Sequence, residues 1–389
     1  MRKSSVLTIE IRKTGFVNKG AELMFLACFQ FVKQQFPNAR VAMEPYHSTA
    51  PYEKRAKYQL WQKPRLFRAG IQFGVLTKLM PPVLRKMLGI VTDDEIDVVL
   101  DASGFSYSDQ WGTASTAELN NSVQRWKKNK TTVILLPQAF GPFELGKNKA
   151  NIAAAVSKCD LVYVRDKRSL DYLKSAVGNT ACNFRLSPDF TNLLDATPSD
   201  LANQYKNQVC IVPNFRMLDK TDKSQAEQYL TDLTTAIAAL KAREKSVYFL
   251  VHDSKLDLWV CEQINSRISF PLPILQHDDP LVLKGILKES LFVIGSRFHA
   301  LISALSQGVP CIGIGWSHKY SELMKDYGIP QFLHRTGSGD ISYLIHQLLD
   351  ADKYGSIRST VADHAVKQKE IVKSMWQEVA TTIRTSHAR

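Results

Sequence analysis

The chain has 389 residues, of which 44% are hydrophobic and 22% charged, a composition that supports a buried core and excludes wholesale disorder. Fifty Lys and Arg against 37 Asp and Glu leave a formal net charge of +13, which asks for an anionic partner without saying which kind. No run of 18 apolar residues occurs, and the apolar stretch at Val6–Ile9 is too short for a signal peptide, so a cytoplasmic chain without a transmembrane helix is expected.

The charge is unevenly placed. Residues 1–200 hold 28 basic and 18 acidic side chains, and residues 201–389 hold 22 and 19. The six cysteines (28, 159, 182, 210, 261 and 311) form no C-x-x-C pair and several sit in apolar runs. They read as free structural thiols, and no zinc or other metal site is expected.

Short β-branched runs predict strands over 6–11, 41–43, 98–101, 132–136 and 161–164 in the first half. In the second half they predict strands over 209–213, 246–251, 273–275, 291–294 and 311–314. Longer helical stretches lie between them, so the pattern is α/β with parallel sheets and helices on both faces. It occurs twice. A seam of linker composition over 195–208 predicts two Rossmann-like domains, 1–200 and 201–389, facing a cleft. A last helix over 358–384 is expected to pack back on the first domain. Ligands of such sheets gather at the carboxyl ends of the strands, so each loop after a strand is a candidate site.

The first such loop, Gly15 to Glu22, has two glycines and an Asn that permit close backbone approach, and Asn18, Lys19 and Glu22 beside a helix start. The same residues also suit an ordinary capped glycine turn. After 98–101 comes Ala102-Ser103-Gly104 with aromatics to Trp111, a composition that suits a sugar and equally a helix-capping loop. Gln138, before Gly141-Pro142, either reaches a ligand or ties down a neighbouring loop. Arg165 follows a buried strand and suits a carboxylate or phosphate, or an internal ion pair; Asp166 and Ser169 suit a helix cap.

The sharpest segment is Gly295-Ser296-Arg297-Phe298-His299-Ala300, where a strand ends and an apolar helix begins. A helix start attracts anions, and an Arg followed two residues later by a His pairs an anion clamp with an acid/base group. Lys319 lies at the start of the following helix, beyond Gly308-Val309-Pro310 and another buried strand, placed for a second anionic group.

Taken in order from 14 to 332, these segments, together with Ser187-Pro188-Asp189-Phe190, resemble the polysaccharide pyruvyl transferases. The Arg297-Phe298-His299-Ala300 helix start followed by Gly308-Val309-Pro310 is the most specific part. The resemblance implies a GT-B-like fold. It implies transfer of the enolpyruvyl group of phosphoenolpyruvate onto sugar hydroxyls of a glycan or lipid-linked sugar, with a pyruvate ketal formed, phosphate released and no cofactor beyond the donor itself. The donor is then held by Arg165, Arg297, His299 and Lys319, with His299 as acid, and the acceptor lies on the first domain near Asn18, Lys19, Glu22, Ser103 and Gln138. Two other readings fit the same architecture: a nucleotide-sugar glycosyltransferase and a non-catalytic glycan-binding relative. Against the former, no Asp or Glu lies between Arg297 and Lys319 to hold a ribose.

Residues 52–90 contain nine basic side chains and one acid, Glu53, among many aliphatic ones. This predicts a basic, apolar, helical insertion that either covers the sheet or contacts an anionic membrane at its inner face. Nucleic acid is not expected, because no binding motif is present.

Overall fold

The computed structural model describes residues 6–46, 48–64, 67–68, 71–253, 255–315 and 317–387. Two parallel sheets organise the chain. The first comprises β1 (Thr8–Arg12), β2 (Arg40–Met43), β3 (Trp61–Gln62), β6 (Val98–Asp101), β7 (Thr132–Gln138), β8 (Leu161–Val164) and β9 (Phe184–Leu186), in the order β3-β2-β1-β6-β7-β8-β9. Between β3 and β6, β4 (Phe67–Arg68) and β5 (Ile71–Gln72) form a small antiparallel pair. The second sheet comprises β10 (Val209–Val212), β11 (Val247–Leu250), β12 (Ile274–Leu275), β13 (Val293–Gly295), β14 (Cys311–Ile314) and β15 (Leu333–His334), in the order β12-β11-β10-β13-β14-β15.

In both sheets the order reverses beside the first strand, between β1 and β6 and between β10 and β13. Such a switch point opens a crevice at the carboxyl ends of the two strands. The central strands are buried along their whole length, and their runs are accordingly rich in Val, Ile and Leu on both faces. β1 is the exception. Its Glu10 and Arg12 are buried, and each is paired: Lys63 Nζ stands 2.7 Å from Glu10 Oε2, and Arg12 stands 2.7 Å from Glu118 and 3.2 Å from Asp101.

The chain divides into two compact units. Unit 1 is Met1–Val17, Met24–Phe190 and Val372–Arg389; unit 2 is Asn18–Leu23 and Thr191–Ile371. The seam therefore falls at 190/191, ten residues before the expected boundary, and the first turn of the helix Lys19–Gln35 belongs to unit 2. The last helix, Ala351–His387, is longer than expected and contributes its residues from Val372 onward to unit 1. There Trp376 stacks on Phe31 at 4.2 Å and meets Phe190 edge-on at 5.7 Å.

The 52–90 region differs most from its expected helical form. Among its described residues only Tyr52–Lys57 and Pro82–Met87 are α-helical; Trp61–Gln62 joins the edge of the first sheet, and Phe73–Leu79 is a 3₁₀ helix. Pro64, Pro81 and Pro82 account for the interruption, since proline removes a donor and keeps the residue before it out of the helical region.

Candidate active site

The second switch point is built around Ser296, the residue after β13. Its backbone N–H donates to Val212 O at 3.1 Å, its carbonyl accepts from Asn214 Nδ2 at 2.7 Å and from Tyr320 OH at 2.8 Å, and its hydroxyl meets Tyr229 OH at 2.5 Å. Anchored this way, the chain turns at Arg297, in extended conformation, into the helix Phe298–Leu305. The apolar run Ala300 to Leu305 is buried. The first turn presents His299 half-buried at the sheet's carboxyl edge. Past the helix end the chain turns at Gly308, whose φ of +78° suits glycine, and whose N–H donates to Leu305 O at 3.0 Å. Gly308-Val309-Pro310 is therefore a structural stop that leads into β14.

Arg297 does not stand free for an anion. Its Nε and Nη2 pair with the two oxygens of Asp257 at 2.7 and 2.5 Å, and its Nη1 stands 2.6 Å from Asp253. Asp257 is completely buried and also accepts from Phe215 N at 3.0 Å. The expectation of a donor clamp thus meets a guanidinium whose three nitrogens are all engaged by carboxylates, because a buried Asp beside a partly buried Asp needs a cation.

Asn18, Lys19 and Glu22, expected on the acceptor side of the first half, belong to unit 2, in the helix turn whose Gly20 lies against His299. A Cβ on Gly20 would come within 2.3 Å of His299 Nδ1 and 3.1 Å of Asn18 Oδ1, so glycine is what lets this helix turn lie against the imidazole. Asn18 Oδ1 caps the turn by accepting from Ala21 N at 2.9 Å, and its side chain also hydrogen-bonds Asp253. Lys19 Nζ donates to Asp278 O at 2.5 Å and stands 3.4 Å from buried Glu22. Lys319, half-buried, holds its ammonium 5.2 Å from the Phe298 ring and 5.3 Å from that of Tyr320. Burial pushes the Asp253 carboxyl above the usual range, with Arg297 opposing.

Sequence reasoning missed His252. It follows β11 at the same sheet edge, in Val251-His252-Asp253, and is 2% exposed, with no hydrogen-bond partner for Nε2 among the described residues. The rule that singled out the other loops after strands would have found it. Burial, then His299, Arg297 and Lys19, push its pKa down to about 3 from 6.5. Between those values the unfolded chain takes up a proton that the folded chain refuses. Stability therefore falls as pH drops from 6.5 toward 3, at about 1.4 kcal/mol per unit. His252→Gln is expected to flatten that part of a melting-temperature profile; an unchanged profile would mean that the folded imidazole accepts the proton.

In unit 1, Arg165 follows β8, is buried, and stands 3.3 Å from Asp189, so Val164-Arg165-Asp166 and Ser187-Pro188-Asp189 meet in space. Asp166 caps the helix Lys167–Val177 by accepting from Ser169 N at 2.7 Å. Gln138 has no exposed surface. It donates to Asp101 at 3.3 Å and accepts from Ser103 Oγ, so the expected cleft-lining pair instead closes the first switch point over a buried aspartate. The cause is Asp101 itself, which draws Arg12, Tyr107 and Gln138 around it. Among the described residues, no cluster of His, Cys, Asp and Glu is arranged to hold a metal ion.

The architecture is that of the GT-B-type enzymes. The chain is similar in structure to Anabaena HepE in complex with UDP and glucose, at 13% identity and a TM-score of 0.58 over 97% of this chain and 100% of that one. It is similar to the UDP-GlcNAc 2-epimerase of Neisseria meningitidis bound to UDP-GlcNAc, at 9% identity and a TM-score of 0.60 over 98% and 99%. It is also similar to S. aureus MnaA with UDP, at 13% identity and a TM-score of 0.59 over 92% of each. No curated protein sequence matches the chain. The family model for polysaccharide pyruvyl transferase matches residues 18–318, from the capping Asn18 to His318 at the start of the helix that carries Lys319, and the chain belongs to that family of transferases.

Proposed function

We propose that the chain transfers the enolpyruvyl group of phosphoenolpyruvate onto two hydroxyls of a sugar in surface polysaccharide biosynthesis, at the inner face of a membrane. The observation that supports this most is the family match over 18–318, together with the gathering of Lys19, His252, Arg297 and His299 around one switch point. The donor carries a carboxylate and a phosphate, and both need cations.

His299 is the acid in this reading. It protonates the methylene carbon, the first sugar hydroxyl forms a C–O bond at C2, and the proton that this hydroxyl loses returns to the imidazole. The second hydroxyl then forms the ketal's other C–O bond while the bond from C2 to the phosphate oxygen breaks. Its proton leaves with the phosphate. Lys19 and Lys319 contact the anionic groups, and neutral His252 offers them an N–H without adding charge. Arg297 is reassigned from clamp to positioning residue: through Asp253 and Asp257 it fixes the turn that aims His299. Arg165 enters as a donor contact through the family pattern.

A ligand that binds only the folded state stabilises it by RT ln(1 + [L]/Kd), about 2.7 kcal/mol at a hundredfold excess over Kd. Phosphoenolpyruvate is expected to raise the melting temperature, and UDP- and GDP-sugars are not. The opposite pattern would replace this reading with nucleotide-sugar glycosyl transfer.

A further inference from the structure

The 52–90 region changes character between sequence and structure. Several of its cations are spent internally: Lys63 is buried between Glu10 and Asp93, and Arg55 bonds to Ala50 O and Gln62. Over residues 76–88 the outward side chains are mostly apolar. Leu76, Leu79, Val83, Leu84, Met87 and Leu88 are all exposed, Leu79 by 82% and Met87 by 79%, and the helix Pro82–Met87 has no buried residue. Scattered exposed apolar residues are ordinary, but six within thirteen positions form a patch of the kind that marks a docking face.

The patch is held in place. Lys78 stands 3.0 Å from Asp94, and Arg85 stands 2.6 Å from Glu95 and donates to Thr92 Oγ1 at 3.2 Å. No carboxylate occurs between Glu53 and Asp93, and Lys86 lies exposed among the apolar side chains. The 3₁₀ helix that presents Leu76 and Leu79 also contributes Gly74 and Lys78 to a cavity of about 210 Å³, lined as well by Arg125 and Lys128.

We propose that residues 76–88 dock shallowly onto an anionic lipid bilayer. Apolar side chains beside the outward Lys86 are the complement of acyl chains beneath anionic headgroups. A second copy of the chain would bring Lys86 against the same apolar face, where the neighbouring carboxylates Asp94 and Glu95 are already paired with Lys78 and Arg85. The inference is independent of the reaction, since lipid binding is read without any donor.

The test is co-sedimentation of the full chain with phosphatidylglycerol/phosphatidylcholine vesicles and with phosphatidylcholine alone. The wild type is expected to pellet with the anionic vesicles at low salt and to be released by high salt. Leu79→Glu/Met87→Glu is expected to lower the bound fraction at least tenfold with an unchanged melting temperature, because both side chains are outside the core. Lys86→Gln is expected to weaken binding by a few-fold and to reduce its salt dependence, whereas Phe270→Glu, at an exposed apolar site of unit 2, leaves it unchanged. Absence of pelleting, equal pelleting with neutral vesicles, or a double variant that pellets like wild type would each overturn the proposal. So would a double variant that dissociates a dimer while lipid binding persists.

Discussion

Replacing His299 by alanine is expected to lower turnover of phosphoenolpyruvate by about 10²–10⁴-fold, the usual range for a lost general acid, while the donor's Kd changes by no more than a few-fold. Phosphate release reports the first quantity and titration calorimetry the second. The reason lies in the division of labour around the switch point. The imidazole sits in the first turn of a helix and against Gly20, whereas charge recognition is assigned to Lys19 and Lys319. Gly20→Ala is the companion variant. Gly20 lies in a helix that tolerates alanine, but the added methyl would come within 2.3 Å of His299 Nδ1. The imidazole must move, and a displacement near 1 Å costs about 10²-fold when a reacting group is misplaced. Gly20→Ala should therefore lower the rate by about 10²-fold although the imidazole itself is retained. An unimpaired His299→Ala would remove this residue as the acid.

Arg297→Ala is expected to destabilise the fold by about 3–5 kcal/mol, the cost of leaving a buried carboxylate without its cation. Asp257 has no exposed surface and receives two of the three guanidinium contacts; Asp253 receives the third. Arg297→Lys should rescue little, because one ammonium cannot span both carboxylates as a planar fork does. Adding Asp257→Asn to Arg297→Ala should recover part of the loss, since the amide oxygen still accepts from Phe215 N and carries no charge. Denaturant unfolding measures all three. An Arg297→Ala protein of unchanged stability but weakened donor binding would return Arg297 to the role of direct anion contact.

The two α/β halves were legible from strand and helix periodicity, because central parallel strands are buried on both faces and read as continuous apolar runs. The Arg297-to-His299 segment was legible because it falls where a strand gives way to an apolar helix. Arg165 could be singled out, but its partner Asp189 lies 24 residues on, and no local pattern links them. The helical expectation for 52–90 failed at its prolines, which overruled composition. His252 was within reach of the after-strand rule, since it directly follows the predicted strand 246–251, although a lone His carries no motif of its own.

From the sequence alone came the fold class, the family resemblance and the list of residue types able to handle a small dianion. Periodicity and motif order are local properties and survive without coordinates. Only the tertiary structure decided what each charge does. Arg297 is engaged by two aspartates from the segment after β11, Asp253 and Asp257, which no local pattern announced. Gln138 became part of a buried network because Asp101 demands donors. The excess charge of 52–90 partly disappeared into ion pairs with Glu10, Asp93, Asp94 and Glu95. A side chain's function follows from what faces it, and that is fixed by contacts tens or hundreds of residues apart.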